Sequence, residues 1–396
     1  MSRAGVELPG WSPALAEASR TRLQSARRVV LKVGSALLVD ADTGALDEAW
    51  LVALAADIAR LRARGQQVIV VSSGAIALGS RRLGLTVRRN RLDESQAAAA
   101  VGQIQLARAW RNVLGEHGLE VAQILLTLDD SDDRRRFINA RNTLETLLRL
   151  GCVPVVNEND TVATAEIRYG DNDRLAARVA QMISADSLVL LSDVEGLYSA
   201  DPRLDPTAQF IAEVARIDER ITAVAGGAST PFGSGGMATK VAAAQIATAA
   251  GCAMVIGLGR REAPVAALEQ GQPCTWFLAD ASPVAARKHW LAGMLKPAGT
   301  LVVDAGAARA LAAGSSLLPA GVLRVEGEFA RGAVVRLVEV DGRELGRGLV
   351  GYPAEEARRL AGHHSREIPD LLGYRGRDAL VHRDDMVLVK DFPEPR

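Results

Sequence analysis

The sequence predicts an α/β protein, in which a mostly parallel β-sheet lies between two layers of helices, followed by a small β-barrel-like domain. From about residue 28 to 260, short apolar runs alternate with segments of helical periodicity, the pattern of strands joined by crossover helices. After about residue 300, short β-type runs separated by glycine-rich turns replace this alternation. At 396 residues the chain is long enough for two domains, each with its own core.

Six short apolar runs have the composition of buried parallel strands, at residues 29–33, 68–71, 121–126, 153–156, 188–191 and 254–256. Helices are expected between them at 48–64, 95–114 and 174–183. In the tail, strands are expected at 300–303, 321–325, 333–338 and 386–389, with one helix at 354–360. These patterns divide the chain into a loosely ordered N-terminal extension (1–26), an α/β domain (27–285), a linker (286–298), a small β domain (299–385) and a C-terminal tail (386–396).

Composition and charge narrow the classes of function. Lys plus Arg (47) equals Asp plus Glu (47), so net charge gives no indication of a polyanionic partner. The cysteines Cys152, Cys252 and Cys274 have no paired spacing and lie in apolar contexts, which predicts buried thiols in a reducing cytoplasm. The N-terminus lacks the apolar core of a secretory signal, and glycines interrupt the uncharged stretch 241–259. We therefore expect a cytoplasmic protein, with a helix and a buried strand at 241–259 rather than a membrane span.

The densest polar cluster follows the predicted strand at 153–156. Four polar residues come directly after that strand and three more open the next predicted helix: Asn157, Glu158, Asn159, Asp160, Asp171, Asn172 and Asp173. A strand end that faces a helix start is where open α/β sheets bind ligands. The cluster has more amide and carboxylate groups than a turn requires, so it suits a polar substrate with an amine and a carboxylate, with or without a metal ion.

Three other strand ends carry candidate ligand-binding residues. Lys32 can project over the sheet edge at the end of the strand 29–33, although a plain surface lysine is by itself the simpler interpretation. At 71–75, Val-Ser-Ser-Gly-Ala, the backbone can approach a ligand closely because glycine has no side chain, but a tight turn explains the run equally well. Ser192 and Asp193 follow the strand 188–191, and a helix cap would explain them too.

A glycine-rich loop leads directly into a predicted helix at 241–250. Residues 233–240 read GSGGMATK, and successive amides in such a loop before a helix form an anion site. Lys240 adds a mobile positive charge that can follow a phosphoryl group. The loop lacks the G-x-x-x-x-G-K-[ST] spacing, and no G-x-G-x-x-G follows a strand. A flexible glycine linker is the less favoured interpretation.

Six motifs, in this order, resemble the glutamate 5-kinase branch of the amino-acid kinase family from about residue 28 onward. They are VVLKVGS, VVSSGAIALG, NENDTVATAEI, GDNDRLAARVA, LLSDVEGLYSADPR and GSGGMATK. The tail is similar to the PUA domain that bacterial members often carry, with GSSLLPAGV, FARGAVV and AGHHSREIPDLLGYRGRDALVHRDDM. The resemblance implies the amino-acid-kinase three-layer αβα sandwich followed by a PUA domain.

The resemblance implies ATP-dependent phosphorylation of the γ-carboxylate of L-glutamate, the first step of proline biosynthesis. A γ-carboxylate has a pKa of about 4.3, so it is ionised at neutral pH and needs no general base. Catalysis then depends on positioning and on neutralising the charge of the transferring phosphoryl group. Lys32 and Lys240 are implied to act on that group, with Asp173 holding both ammonium groups. Mg²⁺ is implied to be bound mainly through ATP.

The resemblance also implies roles in binding the two substrates. Glutamate would be bound by Ser73, Asp160 and Asn172, with Asn157 as a helper. Asp160 suits the α-ammonium group, whereas a hydroxyl and an amide can hydrogen-bond a carboxylate. ATP would be held by both lysines and two loops, through Lys32, Ser192, Asp193, Ser234, Gly235, Gly236, Met237, Ala238, Thr239 and Lys240.

The tail raises the alternative of RNA binding, because PUA domains elsewhere belong to RNA-modifying enzymes. Residues 299–396 contain 14 Lys/Arg against 15 Asp/Glu, a net charge of −1. Since RNA binding normally requires a basic surface, this balance favours a structural or regulatory module and leaves RNA open. The pair His363 and His364 is not expected to bind a metal, because adjacent side chains point apart and no third ligand stands at a suitable spacing.

Two alternative functions stay open from the sequence. The first is another amino-acid kinase, acting on N-acetylglutamate, aspartate, carbamate or UMP. The second is an RNA-binding regulator with a degenerate kinase domain, against which intact Lys32, Asp173 and Lys240 argue. The family likeness further implies a homo-oligomer, feedback inhibition by proline at or near the glutamate pocket, and glutamyl phosphate reductase as a candidate partner.

Overall fold

The chain divides into two compact units, Met1–Pro283 and Val284–Arg396. The computed structural model describes residues 10–40, 43–85, 91–162, 172–226, 236–286 and 297–389. Two apolar clusters form the core of the first unit and a third forms the core of the second. Two separate cores agree with the sequence-based division into an α/β part and a β-rich tail.

An eight-stranded sheet is the centre of the first unit. Its strands, together with a two-stranded ribbon of β6 and β7, are β1 (Arg28–Val33), β2 (Gln67–Ser72), β3 (Val121–Leu126), β4 (Val153–Glu158), β5 (Ser187–Ser192), β6 (Leu197–Tyr198), β7 (Phe210–Ile211), β8 (Glu213–Val214), β9 (Ala253–Leu258) and β10 (Cys274–Phe277). The order in the sheet is β3-β4-β2-β1-β5-β9-β10-β8, and every neighbouring pair is parallel except β9 with β10. All six predicted strands are confirmed.

Helices cover both faces of this sheet. They are α1 (Pro13–Ser25), α2 (Ser35–Leu38), α3 (Glu48–Ala63), α4 (Ala75–Leu83), α5 (Leu92–Gly115), α6 (Leu128–Asp132), α7 (Arg134–Arg149), α8 (Asn172–Met182), α9 (Glu219–Val224), α10 (Met237–Ala249) and α11 (Pro264–Glu269). Successive side chains of a strand point to opposite faces, so Val29 and Leu31 join one core and Val30 the other. The first core includes residues of α3 and α5, and the second includes residues of α8 and α10. The predicted three-layer sandwich is confirmed.

Helix α1 corrects the expectation of a loosely ordered extension at its residues. Leu23 is 1% exposed and belongs to the first core. Ser19 Oγ accepts a hydrogen bond of 3.0 Å from Trp276 Nε1, and Trp11 Nε1 donates to the Gly271 carbonyl at 3.1 Å. The sequence of α1, PALAEASRTRLQS, is mostly small and polar. The apolar period that marks a packed helix is therefore too faint in this segment to predict the helix.

The uncharged stretch 241–259 is a helix followed by a strand, as predicted. Helix α10 ends at Ala249, and β9 begins at Ala253. Between them Gly251 has φ +78°, a backbone conformation that glycine adopts at little cost. Across the part of the chain that the structure describes, no helix is long and apolar enough to cross a membrane.

The second unit is a five-stranded sheet with helices packed on it. Its strands are β11 (Gly299–Val303), β12 (Val322–Gly327), β13 (Val334–Glu339), β14 (Glu344–Val350) and β15 (Val381–Leu388), and its helices are α12 (Ala305–Ala312), α13 (Ala354–Leu360) and α14 (Ile368–Leu372). The order is β12-β11-β13-β14-β15, antiparallel except for β11 with β13. Strand β15 continues beyond residue 385, so the start of the expected 386–396 tail belongs to the sheet. Residues 287–296 and 390–396 lie outside the described residues.

Candidate active site

Two lysines from distant parts of the chain meet on one aspartate. Lys32 Nζ lies 2.6 Å from Asp173 Oδ1, and Lys240 Nζ lies 3.0 Å from Asp173 Oδ2. Lys32, Asp173 and Lys240 are 5%, 0% and 6% exposed. These three ionised groups sum to one net positive charge in a place where water screens it poorly, so the cluster can attract an anion.

The alternation of side chains along β1 explains how Lys32 reaches this cluster. Lys32 is the penultimate residue of β1 and shares the face of Val30, which packs with residues of α8 and α10. Asp173 lies in the first turn of α8, and Lys240 lies in the first turn of α10. Lys32 Nζ therefore lies with the first turns of α8 and α10, and the side chain is buried there.

The choice of lysine at these two positions is unusual for this chain. Of its 47 cationic residues only five are lysines, and only Lys32 and Lys240 lie within the first 286 residues. These two lysines both contact Asp173, and every other Lys or Arg residue of this unit is an arginine. An ammonium group is compact and can turn to follow a moving ligand, whereas guanidinium is a broad planar fork. The composition thus singles out two point charges at one place.

A second, polar cluster adjoins the lysines through Asn172, the neighbour of Asp173. Asn172 Nδ2 donates to Ser73 Oγ at 2.8 Å, to the Ser72 carbonyl at 3.2 Å and to Asn157 Oδ1 at 2.9 Å. These contacts join the carboxyl ends of β2 and β4 to the start of α8. At the end of β2, Gly74 has φ +107°, which lets the chain turn directly from Ser73 into α4.

The amide orientations in this cluster are fixed by backbone groups. Asn157 Oδ1 accepts from the Glu158 amide at 2.9 Å, so the atom that faces Asn172 is an oxygen and Asn172 must present its nitrogen. The amide hydrogens of Asn172 are thus used within the protein, which leaves its Oδ1 as an acceptor for a ligand. Ser73 Oγ accepts from Asn172 and keeps its own hydrogen to donate.

Two supporting residues were not identified from the sequence. Gln103 Oε1 accepts from Asn157 Nδ2 at 2.8 Å, and Trp110 Nε1 donates to Ser72 Oγ at 3.0 Å. Both stand on α5 seven positions apart, on one face of the helix. Gln103 is 9% exposed, and the apolar residues one helical turn before and after it, Ala99 and Leu106, are buried. A polar residue at an apolar position of the helical period was the signal that could have revealed it.

Asp160 lies at a neighbouring cavity of about 260 Å³ between α5 and the ends of β3 and β4. Gln103, Glu158 and Thr161 also line this cavity. Gln103 therefore connects the cavity to the cluster around Asn157. The part of the NENDTVATAEI and GDNDRLAARVA motifs that falls in 163–171, including Asp171, lies outside the described residues.

The expected nucleotide-binding residues lie on two elements beside β1. Ser192 ends β5, the strand next to β1, and its Oγ donates to Asp193 Oδ1 at 3.1 Å. Gly236 is the N-cap of α10 and makes no side-chain cap. The first turn then contains Met237, Ala238, Thr239 and Lys240, and Thr239 Oγ1 donates to the Gly236 carbonyl at 2.7 Å. Ser234 and Gly235 lie outside the described residues.

The fold and the motifs agree with a known family of enzymes. The profile of the amino acid kinase family matches residues 27–257, and the profile of the PUA domain matches residues 299–372. The chain belongs to the amino acid kinase family.

Its relatives define a narrower likeness. The chain is 59% identical to "Glutamate 5-kinase" of Paramagnetospirillum magneticum, over 92% of this chain and 99% of the relative. It is 61% identical to "Glutamate 5-kinase" of Rhodospirillum rubrum, over 92% and 97% of the two chains. It is 59% identical to "Glutamate 5-kinase 1" of Rhizobium meliloti, over 94% of each chain. All three alignments extend well beyond the kinase unit.

Two solved structures are similar at low sequence identity. A UMP kinase from Ureaplasma parvum is 16% identical, with a TM-score of 0.45 over 64% of this chain and 98% of that one. A carbamate kinase from Giardia lamblia is 18% identical, with a TM-score of 0.48 over 65% of this chain and 100% of that one.

Proposed function

We propose that this protein transfers the γ-phosphoryl group of ATP to the γ-carboxylate of L-glutamate, forming L-glutamyl 5-phosphate and ADP in the first step of proline biosynthesis. The observation that carries the proposal is the buried Lys32–Asp173–Lys240 cluster next to the Ser73–Asn172 pair. It combines a positive site for a phosphoryl group with hydrogen-bonding groups for an amino acid. The high identity to relatives named glutamate 5-kinase over nearly their whole length supports the choice of acceptor.

The proposed step needs positioning and charge rather than proton transfer. One oxygen of the ionised γ-carboxylate attacks the γ-phosphorus while the bond between that phosphorus and the β–γ bridging oxygen breaks, and ADP leaves with the electron pair. Lys32 and Lys240 would flank the transferring group and neutralise its oxygens, as phosphoryl transfer requires. Asp173 acts as a positioning residue, because it fixes both ammonium groups by contacts of 2.6 and 3.0 Å.

The nucleotide is proposed to enter as its magnesium complex. Among the described residues, no group of three or more His, Cys, Asp or Glu side chains could hold a metal ion. We assign Mg²⁺ mainly to the ATP phosphates, where it would supply further positive charge. The amides of Met237 and Ala238, at the start of α10, would bind phosphate oxygens, as helix N-termini do. Ser192 and Asp193, together with the 234–236 segment, complete the proposed nucleotide site.

The glutamate site follows from the fixed amide orientations. Ser73, with a hydrogen left to donate, would bind a substrate carboxylate. Asn172 offers an acceptor oxygen, so we propose that it helps Asp160 to bind the α-ammonium group rather than a carboxylate. Asn157 is 2% exposed and bonded to Gln103 and Asn172, so it would position Asn172 without touching the substrate.

Regulation and partners are further parts of the proposal. Proline shares an α-carboxylate and an α-nitrogen with glutamate, so groups that bind these atoms would also accept proline as an inhibitor. The product is a mixed anhydride that water destroys, which favours prompt use by glutamyl phosphate reductase. We also propose a homo-oligomer in the cytoplasm, where ATP and glutamate are both available.

Trapping with hydroxylamine tests the proposed reaction. Hydroxylamine converts an acyl phosphate to a hydroxamate, so hydroxamate should accumulate with glutamate and MgATP in step with ADP release. Aspartate, N-acetylglutamate, carbamate and UMP serve as alternative acceptors in parallel assays. ADP release confined to one of those acceptors would refute the proposal. Salt-dependent RNA binding without any glutamate-dependent ADP release would refute it in favour of an RNA-binding regulator.

A further inference from the structure

A cavity of about 570 Å³ outside the lysine cluster is lined by three arginines. We refer to it as the arginine cavity. Its walls are the last turn of α4 with Arg81 and Arg82, the middle of α5 with Arg108, and the segment 44–48. None of these residues has a part in the proposed phosphoryl transfer.

One face of α4 and one face of α5 line the arginine cavity. On α4, Arg81 and Arg82 stand three and four positions after the lining residue Leu78. On α5, Gln105, Arg108 and Asn112 are separated by three and four positions. Residues at these spacings lie on one face of a helix. The cavity thus combines three guanidinium groups with two neutral polar side chains.

The charge of the cavity contrasts with that of the whole chain. Its lining has three arginines against one carboxylate, Glu48, which gives +2, whereas the net charge of the chain is +0. Arg81, Arg82 and Arg108 make no ion pair with any residue within the described ranges. Elsewhere in this unit, Arg60 and Arg64 both pair with Glu269. Guanidinium groups that make no ion pair with a carboxylate are suited to bind the oxygens of an external anion in pairs.

The preference of helix C-termini for cations explains only part of this arrangement. It accounts for Arg81 and Arg82 in the last turn of α4. It does not account for Arg108, which lies inside the 24 residues of α5. Arg81 is also held from the opposite side, because a Cβ on Gly44 would lie only 3.1 Å from Arg81 Cδ. Because Gly44 has no side chain, the aliphatic part of Arg81 can pack closely against its backbone, which restricts the position of Arg81.

We propose that the arginine cavity binds a small phosphate-bearing anion. The guanidinium groups and the amides of Gln105 and Asn112 would bind its oxygens. Leu46, Leu78 and Ala109 give the cavity an apolar part that can accept an organic group attached to the phosphate. Three guanidinium groups suit an anion with two linked phosphates, which is either inorganic pyrophosphate or the pyrophosphate part of a nucleotide.

The same two helices connect this cavity to the candidate active site. They pack backbone to backbone: a Cβ on Gly79 would lie 1.7 Å from the Ala98 carbonyl oxygen, and one on Gly102 would lie 1.8 Å from that of Ala75. Helices in such close contact shift together rather than separately. Helix α4 begins next to Ser73, and α5 carries Gln103. An anion in the arginine cavity should therefore change the KM for glutamate, a consequence that rests on the proposed function.

Calorimetric titration with inorganic pyrophosphate tests the site without reference to activity. The Lys240→Ala protein is the background, because it weakens anion binding at the lysine cluster. In that background Arg81→Gln and Arg108→Gln should each weaken pyrophosphate binding about tenfold, the loss of one charge-assisted contact. Arg111→Gln, which removes an exposed charge from the same helix outside the cavity, should change the affinity less than about twofold. The same arginine variants in the wild-type chain repeat the comparison if the background protein folds poorly.

Equal losses in all three arginine variants would overturn the proposal, because they would indicate unspecific attraction. Absence of pyrophosphate binding in both backgrounds would overturn it too. Titration with ADP distinguishes the two ligand sources. If ADP binds more tightly than pyrophosphate and Arg108→Gln abolishes this binding, the ligand is a nucleotide. If ADP and pyrophosphate bind equally well, the cavity recognises the phosphates alone. A failed glutamate assay with intact pyrophosphate binding would reject the proposed function and leave this site standing.

Discussion

Replacing Lys240 by alanine removes one of the two ammonium groups that Asp173 holds. Asp173 keeps its contact of 2.6 Å with Lys32, so the buried carboxylate stays paired and the protein should fold. The charge of the three-residue cluster, however, falls from one net positive charge to zero. The site would then bind glutamate through Ser73 and Asn172 as before but lack the charge that stabilises the transferring phosphoryl group.

The size of the effect follows from the burial of Lys240, which is 6% exposed. Losing one preorganised group from a water-excluded site lowers kcat by about 10²–10³, or about 2.7–4 kcal/mol of transition-state stabilisation. Because Lys240 acts on the phosphoryl group and not on the acceptor, the KM for glutamate should stay within about twofold. Lys240→Arg keeps the charge but not the compact shape, so it should also lose most of kcat.

A steady-state assay of glutamate-dependent ADP release gives kcat and KM for each variant. Gln245→Ala, an exposed change on the same helix, is the matched control and should behave like wild type. Thermal unfolding establishes that the variants are folded. Wild-type kcat in folded Lys240→Ala, or a loss confined to the KM for glutamate, would refute the assignment of Lys240 to the transition state.

Three other perturbations probe the substrate site, the second unit and the thiols. Ser73→Ala should raise the KM for glutamate about tenfold with little change in kcat, since it removes one hydrogen bond to a carboxylate that is made before and during transfer. A protein ending at residue 285 should still phosphorylate glutamate, because every proposed catalytic residue precedes that point. Burial raises the pKa of Cys252 and raises that of Cys274 to about 11, so at about pH 7.5 iodoacetamide should modify only the half-buried Cys152 in the folded protein.

Each of these outcomes has a direct check. The KM for glutamate is measured for Ser73→Ala, and an unchanged KM would contradict the role of Ser73 in binding glutamate. Complete inactivity of a folded, shortened chain would mean that the second unit is needed for catalysis. Mass spectrometry counts the modified thiols, and more than one labelled cysteine per native chain would contradict the burial argument. Denatured protein, in which all three cysteines should be labelled, is the control.

The strands of the first unit could be predicted because buried parallel strands are short and continuously apolar. Runs such as 153–156 and 188–191 are therefore visible without any structure. Helix α1 and strand β14 (Glu344–Val350, ELGRGLV) were missed for the same physical reason. Their burial comes from contacts with distant residues, and their own composition is too polar or too rich in glycine to show a clear period.

The candidate site could be predicted as a set of residues but not as a geometry. Lys32, Asp173 and Lys240 stand in separate motifs, and only the pleat of β1 and the starts of α8 and α10 bring them to within 3.0 Å. Gln103 was missed because a single glutamine on a helix carries no motif. Its place on the apolar side of the helical period was the one sequence signal, and its bond to Asn157 shows which residue it supports. Orientation, such as the donor face of Asn172, depends on backbone amides that no sequence pattern specifies.

The central claim is that both ammonium groups act on one phosphoryl group. A crystal structure with MgADP, glutamate and aluminium fluoride as the phosphoryl mimic tests it most directly. We expect Lys32 Nζ and Lys240 Nζ each to lie about 2.7–3.2 Å from fluorine or oxygen atoms of the same mimic, with the glutamate γ-carboxylate in line. A mimic bound elsewhere, or contacted by neither lysine, would contradict the claim.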